Sequence, residues 1–156
     1  SSDDEEEVAR ALELTHVADL ADRPVSSLSG GQRQRVWISM VLAQDTEVLF
    51  LDEPTTYLDL SHSIEVLNLV TELKHRLGRT VVMVLHDLNL AARYSDNVIV
   101  MADGQVTAAG KPSEVLTEEL LESSFGLDAR VIEDPECTDA PLVVPRKPKV
   151  LSSAQH

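Results

Sequence analysis

The chain contains two short runs in which every residue is apolar, and each run ends in polar side chains. Residues 48–51 read Val-Leu-Phe-Leu and are followed by Asp52 and Glu53, while residues 81–85 are followed by His86. Strands that are apolar at every position are typical of a parallel sheet covered on both faces. Since ligands gather at the carboxyl ends of such strands, Asp52, Glu53 and His86 become candidate site residues.

Helical patterns alternate with these strands, which indicates an α/β fold with a parallel sheet and flanking helices. Residues 1–7 are acidic and are predicted to form a solvated or frayed end. The sequence predicts helices over 8–20, after Gly31, and over 61–77, 88–94 and 113–122. It predicts strands over 47–51, 80–85, 97–101 and 105–109, with a hairpin turn at Asp103-Gly104 and a possible last strand at 142–144.

Length and charge narrow the class of protein. A chain of 156 residues indicates one domain, and its apolar runs are far too short to cross a bilayer. The net charge is −14, from 27 acidic and 13 basic residues, so nucleic acid is not expected as a partner. Excess carboxylate with few lysines suits a high-salt cytoplasm, but it fits an ordinary acidic protein equally well.

Each candidate residue has a functional and a structural interpretation. Asp52 and Glu53 either hold Mg²⁺ and orient an attacking water, or form a polar strand end that faces solvent. His86 either hydrogen-bonds a phosphate or is a satisfied histidine at a strand end. The stretch 28–32, Leu-Ser-Gly-Gly-Gln, either presents a helix N-terminus to an anion or is a glycine turn before a helix.

Taken together, the motifs resemble those of the ATP-binding cassette (ABC) ATPases. The order and spacing fit that family's signature motif at 28–35, Walker B motif at 48–54, D-loop at 58–59 and H-loop at His86. The resemblance implies that Asp52 holds Mg²⁺ through water, that Glu53 is the general base and that His86 senses the γ-phosphate. It also implies that Asp59 lies at a dimer interface, and that the ATP of the opposite subunit is contacted by Ser29, Gly30, Gly31 and Gln32.

Residues 53–62, Glu-Pro-Thr-Thr-Tyr-Leu-Asp-Leu-Ser-His, resemble the iron-siderophore branch of the importers, near the cobalamin and haem importers. The resemblance extends to the C-terminal region of that branch, at residues 104–112, 125–127 and 141–145. The resemblance implies a subunit that binds ATP and Mg²⁺ and forms a head-to-tail dimer with a second nucleotide-binding subunit. Its further partners would be transmembrane permease subunits and, indirectly, a substrate-binding protein, at the cytoplasmic face of the membrane.

The family's first half is not found in this sequence. A Walker A loop reads G-x-x-x-x-G-K-[ST]; the one similar stretch, Gly104 to Pro112, is one residue too long and ends in proline. The resemblance therefore implies the C-terminal part of the P-loop ABC fold. Residues 1–43 would be part of the helical subdomain, 44–127 the sheet core, and 128–156 a C-terminal extension and tail.

Three functions remain open on the sequence alone. The chain is a truncated catalytic subunit of an importer, a non-catalytic remnant or interaction module, or a soluble ABC protein of translation or DNA repair. The last class usually carries paired cassettes or coiled-coil insertions, which are not visible here.

The missing Walker A loop makes a first prediction about binding. The 156-residue chain should not bind ATP with micromolar affinity, because the β- and γ-phosphates lack their backbone cradle and lysine. Isothermal calorimetry of the pure chain checks this, with a subunit completed by its first half as the positive control. Micromolar binding by the pure chain would contradict it.

Overall fold

The structure, a computed structural model, describes residues 2–147 and divides into two units, the first ending at His86 and the second beginning at Asp87. The first unit contains α1 (Ser2–Leu14), α2 (Gly30–Leu42), β1 (Val48–Asp52), α3 (Leu60–Leu77) and β2 (Thr80–Val84), with short 3₁₀ helices at Ala18–Leu20 and Val25–Ser27. The second contains α4 (Leu88–Tyr94), β3 (Val98–Ala102), β4 (Gln105–Gly110), α5 (Pro112–Val115), α6 (Glu118–Phe125), β5 (Ala129–Glu133) and β6 (Pro141–Pro145). No helix within 2–147 is both long and apolar enough to span a membrane.

The core of the first unit forms between α2, α3 and one face of a parallel strand pair. β1 and β2 run parallel with Val48 opposite Thr80 and Asp52 opposite Val84. Leu49 and Leu51 pack on one face against Val66, Val70 and other apolar side chains of the helices. The α/β fold with a parallel pair and flanking helices is thus confirmed, and the two carboxyl strand ends lie side by side.

The prediction that both strands are covered on both faces is wrong for the described residues. Alternate side chains of β1 and β2 point away from the helices, so Phe50 is 70% exposed and Val82 and Val84 are 42% and 48% exposed. α2 and α3 cover one face only, and within residues 2–147 the strand β2 pairs with β1 alone. An apolar sheet face and a strand edge therefore remain open.

The N-terminal prediction also needs correction. The acidic residues 2–7 are helical rather than frayed, and α1 ends at Leu14 instead of Leu20. Asp3, Asp4 and Glu5 lie in the first turn, where negative charge favours the helix dipole. His16 adopts a positive φ of 57°, which takes the chain out of the helix.

The second unit consists of two antiparallel hairpins joined through helices. β3 pairs with β4, with a register shift between Val100 and Met101, and β5 pairs with β6. The strand at 142–144 is confirmed within β6, but the sequence analysis missed its partner β5. Residues 113–122 are not one helix: α5 begins with Pro112, and a new helix starts after Thr117, whose hydroxyl caps Leu120 N–H.

Side chains of α4 hold the second hairpin of this unit. The amide of Asn89 donates to Val143 O at 3.1 Å and accepts from Val143 N at 2.7 Å, as a neighbouring strand would. Arg93 donates two hydrogen bonds to the carboxylate of Asp134, whose side chain is 1% exposed. The hydrogen bond from Glu136 N–H, and after it those from Arg93, keep the pKa of Asp134 below its ordinary value.

The open sheet face generates a prediction about association. Phe50→Thr should reduce self-association of the 156-residue chain and leave it folded, because Phe50 adds apolar area to an uncovered strand. Size-exclusion chromatography at several concentrations measures this.

Leu49→Thr is the matched control on the buried face of the same strand. It should lower the free energy of unfolding by about 2–5 kcal/mol, as large-to-small core changes do. Equal effects of both substitutions on association and on thermal unfolding would contradict the assignment of an open face.

Candidate functional site

β1 carries Asp52 and Glu53 to the carboxyl edge of the strand pair. Glu53 N–H donates to Val84 O at 3.1 Å, so the residue still belongs to the ladder with β2. Its φ of 52° lies in the left-handed region, which is costly for a residue with a side chain and concentrates at functional sites. Thr56 N–H donates to Glu53 O at 3.2 Å and closes a turn behind it.

The two strand ends meet through their side chains. Oε1 of Glu53 lies 2.6 Å from Nε2 of His86, and the hydroxyl of Thr56 donates to Oε2 at 3.0 Å. The hydrogen bonds with His86 and then with Thr56 keep the pKa of Glu53 below its ordinary value. The carboxyl is therefore ionised at neutral pH, the state in which it accepts a proton.

Asp52 is exposed at the last position of β1. Within residues 2–147 no group of three or more His, Cys, Asp and Glu side chains could hold a metal ion. A single open carboxylate suits Mg²⁺, which keeps several of its waters when it binds to a protein. Asp52 therefore offers one carboxylate to an ion, and its role in holding Mg²⁺ through water stays a prediction.

Ser29 and Gln32 form a reciprocal cap at the start of α2. Ser29 Oγ accepts from Gln32 N–H at 3.2 Å, and Gln32 Oε1 accepts from Ser29 N–H at 3.0 Å. The hydroxyl hydrogen of Ser29 can still be donated to a ligand, as can the amide N–H groups of Gln32. In this structure Gln32 thus orients Ser29, in addition to the ATP contact expected from the sequence.

The two glycines of the 28–32 stretch lie close to the beginning of α3. A Cβ at Gly30 would lie 3.3 Å from Leu58 Cδ2, and a Cβ at Gly31 would lie 3.1 Å from His62 Cδ2. The motif resemblance implies that these glycines allow a ligand to approach the backbone. The structure adds a second reason, since the first turn of α2 packs closely on residues 58–62.

Asp59 is the N-cap of α3 and is held by three donors. Its Oδ1 accepts from His62 N–H at 2.9 Å and from the Ser61 hydroxyl at 3.0 Å, and it lies 2.8 Å from His62 Nδ1. These bonds, that from His62 N–H first, lower the pKa of Asp59 from 3.8 to about 2. His62 therefore bonds to the expected interface residue Asp59 and lies close to Gly31 in the first turn of α2.

A cleft of about 410 Å³ lies between α2 and the end of β1. It is lined by residues that include Gln34, Trp37, Phe50, Asp52, Glu53 and Tyr57. Its lining is mixed, with apolar side chains such as Trp37 and Phe50 beside the carboxylates of Asp52 and Glu53.

The candidates thus fall into two clusters, since no hydrogen bond or ion pair joins residues 29–32 to Glu53 or His86 among the described residues. Sequence reasoning missed Thr56 and His62. His62 had a local signal, because Asp59 three residues before it is typical of an N-cap. Thr56 had no such local signal, because the turn between Glu53 and Thr56 is what brings its hydroxyl to Oε2 of Glu53.

Comparisons with known proteins agree with these motifs. The family described as "ABC transporter" matches residues 2–56. The chain is 54% identical over 145 residues to the achromobactin transport ATP-binding protein CbrD of Dickeya dadantii, which covers 93% of this chain and 54% of CbrD. It is 50% identical over 143 residues to the ferric enterobactin transport ATP-binding protein FepC of Escherichia coli, over 92% of this chain and 52% of FepC.

The fold is also shared with solved structures. A chain from an ABC transporter described as of metal-chelate type, in an inward-facing conformation, superposes with a TM-score of 0.83 at 30% identity. The match covers 94% of this chain and 59% of the other. The curated relatives are longer than this chain, which spans about half the length of those that it matches.

The Asp59–His62 pair predicts a measurable titration. His62→Ala should raise the pKa of Asp59 from about 2 towards 3.8, but not fully, because the backbone N–H at position 62 remains. Since the folded-state pKa is lowered, the stabilisation from Asp59 is complete above 3.8 and is lost as the pH falls through about 2. An NMR titration that follows the carboxyl carbon of Asp59 measures its pKa in the parent and in the variant.

His75→Ala is the matched control, since His75 lies in the last turn of the same helix. It should leave the pKa of Asp59 unchanged. An unchanged pKa in His62→Ala would show that the imidazole contributes nothing to the capped aspartate.

Proposed function

This chain belongs to the ABC transporter family, and on that premise we propose that it is part of the ATP-hydrolysing subunit of an importer of iron chelates. The observation that carries the proposal is the hydrogen-bonded Glu53–His86 pair at the ends of two adjacent parallel strands. The similarity of this chain to the achromobactin and ferric enterobactin transport proteins supports the iron-chelate assignment.

The chemistry proposed for this chain is proton transfer to a fixed carboxylate. ATP with Mg²⁺ supplies a phosphoryl group open to attack by water, and Asp52 would hold the ion through water. Glu53, ionised and fixed in orientation, would accept the proton of the attacking water. His86, whose Nε2 lies 2.6 Å from Oε1, would keep that carboxylate in place. Sensing of the terminal phosphate by His86 would require this N–H to turn from Glu53 to the phosphate when ATP is bound.

The second cluster is proposed to act on the nucleotide of another subunit. Ser29 at the start of α2 offers a hydroxyl beside a helix N-terminus, which suits a phosphate. Gly30, Gly31 and Gln32 would keep this donor in place, with Asp59 at the contact between the two subunits of a head-to-tail dimer. The phosphate-binding loop is not among these 156 residues, so the proposal places it elsewhere in the working subunit.

The remaining partners follow from transport. The subunit would bind permease subunits at the cytoplasmic face of the membrane, and a substrate-binding protein would deliver the chelate to them. A test of the cargo deletes the gene and measures uptake of radiolabelled ferric siderophore, haem and cobalamin. We expect loss of siderophore-bound iron uptake alone, restored by the intact gene. Loss of cobalamin or haem uptake with normal siderophore uptake would overturn the iron assignment.

The role of Glu53 is tested by Glu53→Gln in the complete subunit, assembled with its permease. Losing the general base should lower kcat for ATP hydrolysis by about 10²–10⁴-fold, while ATP is still bound, because the amide keeps the shape but accepts no proton. Steady-state phosphate release and nucleotide binding are measured together.

Glu47→Gln is the matched control, because it makes the same change at an exposed residue immediately before the other end of β1. It should hydrolyse ATP at the parental rate. A kcat for Glu53→Gln within about threefold of the parent would refute the assignment of the general base.

A further inference from the structure

We propose that Thr56 is a positioning residue whose hydroxyl fixes the plane of the Glu53 carboxylate for proton transfer. The proposal rests on the proposed function of Glu53 as the general base. It is carried by the geometry of one carboxylate whose two oxygens have different partners: Oε1 with His86 at 2.6 Å and Oε2 with Thr56 at 3.0 Å.

A single hydrogen bond does not fix a carboxylate. The terminal torsion of glutamate is broad and roughly two-fold, so a group held at one oxygen can still swing about that contact. A second bond at the other oxygen, from a different direction, removes this freedom. His86 is 73% exposed and is little restrained by packing, whereas Thr56 is half-buried.

Thr56 is well placed to be the fixed partner. Its own N–H donates to Glu53 O at 3.2 Å, so the backbone between the two residues forms a closed turn. Glu53 and Tyr57, on either side of this turn, both have positive φ values of 52° and 63°. A β-branched side chain has few χ1 rotamers, and the rotamer present directs the hydroxyl at Oε2.

A purely structural role is the competing explanation. In that case the Thr56 hydroxyl only closes the turn, and its removal would lower stability, nucleotide binding and turnover together. A positioning role instead predicts that kcat falls while KM for ATP and the melting temperature stay near those of the parent, because misplacing a reacting group affects the transition state.

The experiment compares Thr56→Val and Thr56→Ser in the complete subunit assembled with its permease. Valine keeps the shape without the hydroxyl, and serine restores the hydroxyl. We expect Thr56→Val to lower kcat by about 10–100-fold with KM for ATP within about threefold. Thr56→Ser should recover most of the rate. Thr55→Val is the matched control, because it removes a hydroxyl from the neighbouring half-buried residue.

A structural readout makes the test independent of activity. High-resolution crystal structures of Thr56→Val and Thr56→Ser should show the Glu53 carboxylate rotated or spread over several orientations in the first and fixed in the second. The same single carboxylate orientation in both variants would overturn the proposal, as would a kcat for Thr56→Val within about threefold of the parent. Equal losses in both variants, or in Thr55→Val, would also overturn it.

These outcomes separate the inference from the proposed function. If Glu53→Gln hydrolyses ATP at the parental rate, the general base is misassigned and the proposal for Thr56 falls with it. If Glu53→Gln is inactive and Thr56→Val is fully active with an unmoved carboxylate, the general base stands and only the role of Thr56 is lost.

Discussion

The hydrogen bond between Glu53 and His86 depends on the parallel pairing of β1 and β2, and the candidate site depends on that bond. Parallel strands place their carboxyl ends at one edge, so residues 33 positions apart come within 2.6 Å. The backbone bond from Glu53 N–H to Val84 O extends the ladder by one residue beyond β1. A register shift of one residue would turn the Glu53 side chain to the other face and break the pair.

A second constraint joins the first turn of α2 to the beginning of α3. Gly30 and Gly31 leave space that Leu58 and His62 fill, and His62 also holds the N-cap Asp59. The glycines expected to contact another subunit's nucleotide thus lie close to His62, which also holds the residue expected at the subunit interface. This contact makes the two motifs, which are about thirty residues apart in sequence, one structural unit.

The open face of β1 and β2 shows where local patterns mislead. Val48 and Phe50 look like core residues because all four residues 48–51 are apolar. In this structure only Leu49 and Leu51 are buried, and the side chains that alternate with them are exposed. Hydropathy records what a residue would prefer, whereas burial depends on what lies opposite. The single helix predicted over 113–122 is wrong for a different reason, since α5 ends at Val115 and the Thr117 cap begins a new helix, α6.

The sequence by itself determined the order of the elements from α2 to β4, the family, and the candidate residues from Ser29 to His86. These follow from periodicity, caps and motif spacing, which are local along the chain. Only the tertiary structure decided that Glu53 meets His86 and Thr56, that His62 contacts Gly31, and that one face of β1 is uncovered. Those contacts depend on strand register, a strained turn and the packing of α3 against α2, and no local pattern specifies the distance between residues that the fold brings together.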